Sequence, residues 1–274
     1  MKNKIIEANI EVHTKMVEVY NQEPHFRPEN QAKVRKQVEY LQKQIDAKKL
    51  LDIGCGTGFI LNIAKDLFDE LHGVDITQAM LDKVDVSSGN IKLYNALAQE
   101  LPFEDKSFDM VTSYAFLHHL EDYKDVLKEA FRVLKPKGIY YIDLEPNKFF
   151  WEEISSLNTS NNKNTYSEIV QKEIDSILFT DQKVMQEFGI DARTVRNAEY
   201  IKSVLGGIDP FIFCAIAKEI GFLEVYFEYD WFLGQGTIMH KHSFEEASKI
   251  NTYLKETLPL TKHLYKYIRF ILKK

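Results

Sequence analysis

Cysteine is nearly missing from this 274-residue sequence; Cys55 and Cys214 stand alone and far apart. Two isolated thiols exclude a disulfide framework and a structural zinc cluster, and they suit a reducing cytosol. Basic residues are also in deficit. Lys and Arg number 35 against 41 Asp and Glu, giving a formal charge of −6 and a pI near 5.8. This lacks the basic balance of a duplex nucleic-acid binder, leaving at most a local groove. No run approaches the roughly 20 apolar residues of a membrane span. Near the start, Glu7, Asn9 and Glu11 interrupt the apolar core that an export signal needs. No internal repeat is evident. The expectation is therefore a soluble, cytoplasmic chain without stable membrane insertion. Its hydrophobic content of 45% is enough to bury a large core in one domain or in a domain with an insertion.

One segment is dense in glycine. Leu50-Leu51-Asp52-Ile53-Gly54-Cys55-Gly56-Thr57-Gly58-Phe59 sets a short apolar strand against a glycine turn and a helix start. Glycines at alternate positions let bare peptide groups approach a ligand. The spacing is G-x-G-x-G followed by Phe59, whereas a dinucleotide fold wants G-x-G-x-x-G. Five further segments follow in order: His72-Gly73-Val74-Asp75-Ile76, Leu101-Pro102-Phe103, Ser107-Phe108-Asp109-Met110-Val111, Leu117-His118-His119-Leu120, and Arg132-Val133-Leu134-Lys135-Pro136-Lys137-Gly138. This series, over roughly residues 50 to 145, resembles the class I S-adenosylmethionine (SAM)-dependent methyltransferases. Within them it is similar to the small-molecule branch that includes the quinone-biosynthesis enzymes.

Apolar spacing alternates between strand and helix from Leu50 to Leu144. Repeated βαβ units predict a Rossmann-like α/β fold, a doubly wound and mostly parallel sheet. Gly54, Asp75 and Ser113 fall at predicted strand ends, so they are expected to converge on one crevice. After Glu145-Pro146-Asn147 the rhythm changes, and residues 148–207 read as a mainly helical insertion or lid. Asn158 to Asn164 reads as a polar loop and Gly206-Gly207 as a hinge. The core is then 1–147 with 208–274, including an N-terminal helical cap over about 1–45. Tyr265 to Lys274 suits either a last antiparallel strand, which the resemblance implies, or a basic helix on a membrane surface.

The resemblance implies SAM as cofactor and S-adenosylhomocysteine (SAH) as product. Gly54, Cys55, Gly56 and Gly58 are expected to cradle the amino-acid end, with Asp52 anchoring the loop near the ammonium group. Asp75 lies seventeen positions after Gly58, near the roughly 20-residue offset at which a carboxylate meets a ribose. Ile76 and Met80 are expected against the adenine, with core packing the alternative for both. At the adenine edge the sequence departs from the family: Leu97 stands where an acidic or amide side chain is usual. Either Asn95 reaches in, or backbone groups of Ala98 and Gln99 serve. The backbone at Ser113 corresponds to a place that holds the methionine ammonium. Tyr20 or Arg27 is expected to meet the cofactor carboxylate, unless both belong to an ordinary amphipathic helix.

His119 is the candidate general base, with His118 behind it, because an unperturbed imidazole titrates near neutrality. The alternative is that one histidine only orients loops. No metal site has spacing support, and Glu145 is left as a further candidate to touch substrate. Phe149, Phe150, Trp151, Phe211, Phe213, Tyr226, Tyr229, Trp231 and Phe232 suit either an apolar lid over a hydrophobic or aromatic small-molecule acceptor or the core beneath one. Two other functions stay open: a non-catalytic SAM-binding or interaction protein, and an NAD-dependent oxidoreductase.

Overall fold

A computed structural model of the chain describes residues 2–159, 166–178 and 180–274. Seven strands form one sheet in the order β3-β2-β1-β4-β5-β7-β6. They are β1 (Lys49–Ile53), β2 (Glu70–Asp75), β3 (Ile91–Asn95), β4 (Phe108–Tyr114), β5 (Leu134–Pro146), β6 (Glu224–Phe232) and β7 (Tyr265–Lys273). Only β7 runs antiparallel to its neighbours β5 and β6. The end of the chain is therefore a strand, not a surface helix. Leu50, Leu51 and Ile53 of β1 are fully buried, as a strand covered on both faces requires, and each contributes about 1.5–3 kcal/mol by leaving water.

The crossovers place helices on both faces. α1 (Lys2–Met16) and α2 (Pro28–Ile45) precede the sheet; α3 (Phe59–Ala64) and α4 (Gln78–Leu81) connect its first three strands; α5 (Lys124–Val133) joins β4 to β5. Val126, Leu127, Ala130 and Val133 of α5 recur at helical spacing and are all buried against one face. Val34, Val38 and Leu41 of α2 cover the other. Because the chain leaves β1 toward β2 and β3 and returns to β4, the order reverses between β1 and β4. A crevice opens there at the carboxyl ends.

Residues 148–207 supply α6 (Lys148–Thr159), α7 (Glu168–Leu178), α8 (Thr180–Phe188), α9 (Ala192–Ala198) and α10 (Tyr200–Ser203). α8 and α9 pack on the N-terminal helix, where Ala8 and Val12 of α1 meet Val184, Ile190, Val195 and Ala198, while Ile201 of α10 joins the core on the sheet. A second small cluster joins Phe150, Ile154 and Ile174. α11 (Pro210–Ile220) then leads back to β6, and α12 (Gln235–Lys241) and α13 (Phe244–Glu256) precede β7.

Three local expectations change. Pro136-Lys137-Gly138 reads as a turn before a strand from Ile139, but the strand begins at Leu134 and takes these residues in as an irregularity. Lys137 adopts φ 67°, and its N–H bonds the Lys274 carbonyl. Gly207, expected as a hinge, is a point of close approach: a Cβ there would lie 2.8 Å from the Pro146 carbonyl oxygen. Of the expected polar loop Asn158 to Asn164, helix α6 takes the first two positions; residues 160–164 lie outside the described residues.

Candidate active site

The glycine turn is tied to β2 at its base. Gly54 and Cys55 donate their N–H groups to the Val74 carbonyl at 2.8 and 3.0 Å, and the Gly56 N–H reaches Asp75 Oδ2 at 2.9 Å. Asp75 Oδ1 accepts from the Thr77 N–H at 2.8 Å. Two amides thus fix the carboxylate, and each oxygen keeps a lone-pair direction for an incoming hydroxyl. At Gly54, φ is 71° and a Cβ would fall 2.0 Å from the Phe116 ring. At Gly56, φ is 51°, but the nearest atom to a Cβ is Tyr20 Cε1 at 3.8 Å. The first glycine is demanded by packing and the second keeps open space in front of the loop.

That space is a cavity of about 200 Å³. Gly54, Gly56, Asp75, Ile76, Met80, Ala98, Gln99, Tyr20 and His119 all line it, although they come from widely separated segments. Asn95 does not; its amide bonds the Asp75 carbonyl oxygen at 3.2 Å, which leaves the adenine-edge wall to Leu97, Ala98 and Gln99. Cys55 and Asp52 lie behind the loop, lining a small adjoining cavity of about 20 Å³. Asp52 accepts the Thr112 hydroxyl at 2.7 Å, and burial pushes its carboxyl up to about 7. Gly58 stands farther back, where a Cβ would press on Val84 at 2.8 Å. The Ser113 hydroxyl pairs with Tyr140 at 2.8 Å, away from both cavities; Ala115, two residues on, forms the wall. Arg27 turns outward to His240.

A second cavity, of about 480 Å³, lies beyond this wall. His13, Tyr20, Ala115 and His119 line both large cavities and form the partition between them. Ala115 and Leu144, at the ends of β4 and β5, hold left-handed φ values of 52° and 60°. Backbone strain of order 1–3 kcal/mol each is thus stored beside the partition. Trp151 lines the second cavity; Phe150, Phe213, Tyr229 and Phe232 are core residues, and Phe211 and Tyr226 face outward. The aromatic residues therefore do not make a continuous apolar lid.

The two histidines are held differently. His118 Nδ1 lies 2.9 Å from Glu145 Oε2, and the fully buried Glu145 carboxylate also accepts the N–H groups of Phe116, Leu117 and His118. His119 Nδ1 meets the Ala198 carbonyl oxygen at 2.6 Å, which makes that nitrogen the donor. Burial, reinforced by the neighbouring His118, holds His119 well below the usual imidazole range. His119 is thus a neutral, oriented ring in the partition. His118, His119 and Glu199 bring ligand atoms within 4.8 Å of one another, the one such group among the described residues. The cation already beside Glu199 is the Lys202 ammonium, and His119 Nδ1 is engaged; the cluster suits proton handling better than a metal.

Glu145 was legible only as an acidic residue near a strand end, and Glu199 gave no signal, since its place depends on how the insertion folds over α1. His13, Ile5, Ile6 and Asn9 of α1 also line the first cavity. Their signal in the sequence is amphipathic spacing, which does not distinguish a cavity wall from a core contact.

The family described as a methyltransferase domain matches residues 51–142. Residues 51–142 thus carry a methyltransferase domain. Demethylmenaquinone methyltransferases of Staphylococcus aureus, strains MRSA252 and Newman, are 43% identical to it over 97 residues. The match takes in 33% of this chain and spans 40% of the length of those relatives. A SAM-dependent methyltransferase from Mesorhizobium loti superposes with a TM-score of 0.52 at 14% identity, covering 83% of this chain and 91% of that one. One from Archaeoglobus fulgidus gives 0.50 at 19%, covering 88% and 94%. These two likenesses concern the fold alone. The matched residues include the glycine turn and Asp75. No helix among the described residues is long and apolar enough to cross a membrane.

Proposed function

We propose that this chain transfers a methyl group from SAM to a small molecule held in the second cavity. The observation that carries this reading is the shared partition: the cavity at the glycine turn and the cavity under the insertion meet at His13, Tyr20, Ala115 and His119. The residues at the turn fit SAM. Asp75 offers two fixed oxygens to a ribose, Gly56 leaves room for the ligand at the loop, and Ile76, Met80 and Ala98 supply apolar walls. Asp52, with its carboxyl near 7, stands behind the loop to answer a positive charge.

When bound, SAM supplies a methyl group already activated on a sulfonium. The protein's part is placement, and holding two reactants in line lowers a barrier by roughly 7–11 kcal/mol at the upper reach. Tyr20 stays protonated, because burial and then Asp75 raise its phenol, so it acts at the partition as a donor. Residues 148–207 act as the lid: α9 packs on α1, and their side chains exclude water from the acceptor side. The domain match favours methyl transfer over hydride transfer or a non-catalytic role.

Calorimetry with SAM, SAH and NAD tests the cofactor. Micromolar or tighter binding of SAM and SAH with none of NAD is expected; binding of NAD alone, or of none of the three, would reject the proposal.

A further inference from the structure

The N-terminal helix places one buried amide in the wall of the first cavity. Ile5, Asn9 and His13 fall about one turn apart along one face of α1, and all three line that cavity. Of the three, only His13 also lines the second cavity, so this face runs from the partition back along the space in front of the glycine turn. Asn9 is 6% exposed. Its amide nitrogen donates to the Ile5 carbonyl oxygen at 2.9 Å and to the His119 carbonyl oxygen at 3.0 Å. A carbonyl only accepts, so both N–H bonds are used and the orientation of the amide is settled. Oδ1 is left over, and among the described residues it accepts no hydrogen bond.

A ligand that fills the cavity takes water away from Oδ1, and a buried acceptor then needs a donor from the ligand. The donors of SAM are its ribose hydroxyls, its ammonium and the 6-amino group of adenine. The hydroxyls fall to Asp75 and the ammonium to the loop in front of Asp52, which leaves the amino group. At the adenine-edge wall the Leu97 side chain is apolar, and the Asn95 amide is turned to the Asp75 carbonyl oxygen. Gln99 and Glu121 also line the cavity, but they are half-buried and no hydrogen bond among the described residues holds their side chains, so water follows them.

We infer that Asn9 reads the base of the cofactor, its Oδ1 accepting from the 6-amino group of adenine, which rests on the SAM-binding half of the function proposed above. Ile5 on the same helix face, with Ile76 and Met80, supplies apolar surface for the ring. An amide held by both of its N–H bonds does not turn over to become a donor. It therefore discriminates: a purine with only hydrogen at the 6-position leaves Oδ1 unpaired, and a 6-oxo purine sets oxygen against oxygen.

The test is a series of bases on one homocysteine nucleoside, read by calorimetry. SAH is compared with the analogue whose base is purine, lacking the amino group, and with the deaminated analogue whose base is hypoxanthine. The parent protein is expected to bind SAH at least about tenfold more tightly than the purine analogue, and the hypoxanthine analogue more weakly still. Asn9→Leu is expected to weaken SAH about tenfold and to leave the purine analogue within about twofold, so that the preference collapses. A merely structural loss would weaken both ligands alike; Asn9→Ala, which adds no bulk, repeats the comparison should Asn9→Leu not fold. Gln99→Leu and Glu121→Leu are expected to keep the parent's preference. No preference for SAH over the purine analogue in the parent, a preference that survives loss of Asn9, or one that collapses in Gln99→Leu or Glu121→Leu would overturn the assignment. Failure of the parent to bind SAH would remove the proposed function and this inference together; SAH binding without a preference at the 6-position would remove the inference alone.

Discussion

The cavity at the glycine turn and the cavity under the insertion share a partition yet are built in opposite ways. The first is made largely at strand ends: β1 delivers Gly54, β2 delivers Asp75, and the segment after β3 delivers Ala98 and Gln99. The second is made by cover. Trp151, Glu199 and Lys202 come from the insertion, and Lys266 and Tyr267 from the last strand. Strand ends are fixed by the hydrogen-bonded register of a buried sheet, whereas the cover rests on small apolar clusters, one of them between α1 and the helices α8 and α9. A fold can thus preserve its cofactor side while its acceptor side is rebuilt. That is why similarity concentrated in residues 51–142 speaks to the cofactor and leaves the acceptor to be read from the cavity itself.

Asp75→Ala separates the two sides most sharply. It removes two charge-assisted bonds to a ribose, so SAM is expected to weaken by about 3–5 kcal/mol, or more than 100-fold, with acceptor-side geometry retained. Isothermal calorimetry measures this, and unchanged affinity in a folded variant would contradict the ribose role. Two glycines of the turn sharpen the same contrast. Gly54→Ala drives a methyl into the Phe116 ring and is expected to lower the melting temperature, by about 1–3 kcal/mol of stability. Gly56→Ala bears a comparable left-handed φ without that wall, so it is expected to melt higher than Gly54→Ala; equal melting losses in the two variants would break the distinction.

Proton linkage divides the groups behind the loop. His25 is pushed down to about 4 by burial and then by His118, whereas burial lifts Asp52 to about 7. For His25 the unfolded chain binds more protons between pH 6.5 and 4, so its contribution to stability falls as pH falls through that window, by about 3 kcal/mol in all. Asp52 acts with the opposite sign: the folded chain holds its proton between about pH 4 and 7, and its contribution is lost as pH rises. Asp52→Asn is therefore expected to leave stability falling more steeply toward acid than in the parent, read by urea titrations at pH 5 and 7. SAM affinity in the parent is expected to decline below about pH 7, approaching tenfold per unit, because the cofactor's ammonium favours the ionised carboxyl; that slope should vanish in Asp52→Asn.

The smallest expected effect on the cofactor belongs to Trp151→Ala. This ring lines the second cavity but not the first. SAM affinity should stay within about twofold, while turnover of an acceptor held in the second cavity falls. A comparable loss on both sides would mean that the partition does not separate them.

The sheet was legible because each of its elements is written in contiguous residues. The Leu50–Ile53 strand, the Gly54–Gly58 turn and Asp75 at the end of β2 need only local periodicity and glycine spacing to be found. The Glu145–His118 pair is different. It joins residues 27 positions apart, and their meeting depends on the end of β5 lying beside the turn that follows β4. His119 was the more visible histidine in sequence, but its Nδ1 is engaged by Ala198, a residue of the insertion. Glu199 was hidden for the same reason, since no local pattern says which face α9 presents to α1. Ser113 is expected to act through its backbone; its hydroxyl pairs with Tyr140, and the cavity wall begins at Ala115.

A structure of the protein with SAH bound tests the central claim most directly. The expected result places the ribose on Asp75 and the sulfur against the partition of His13, Tyr20, Ala115 and His119, facing the second cavity. A sulfur atom directed away from that partition, or SAH seated within the second cavity, would contradict the account.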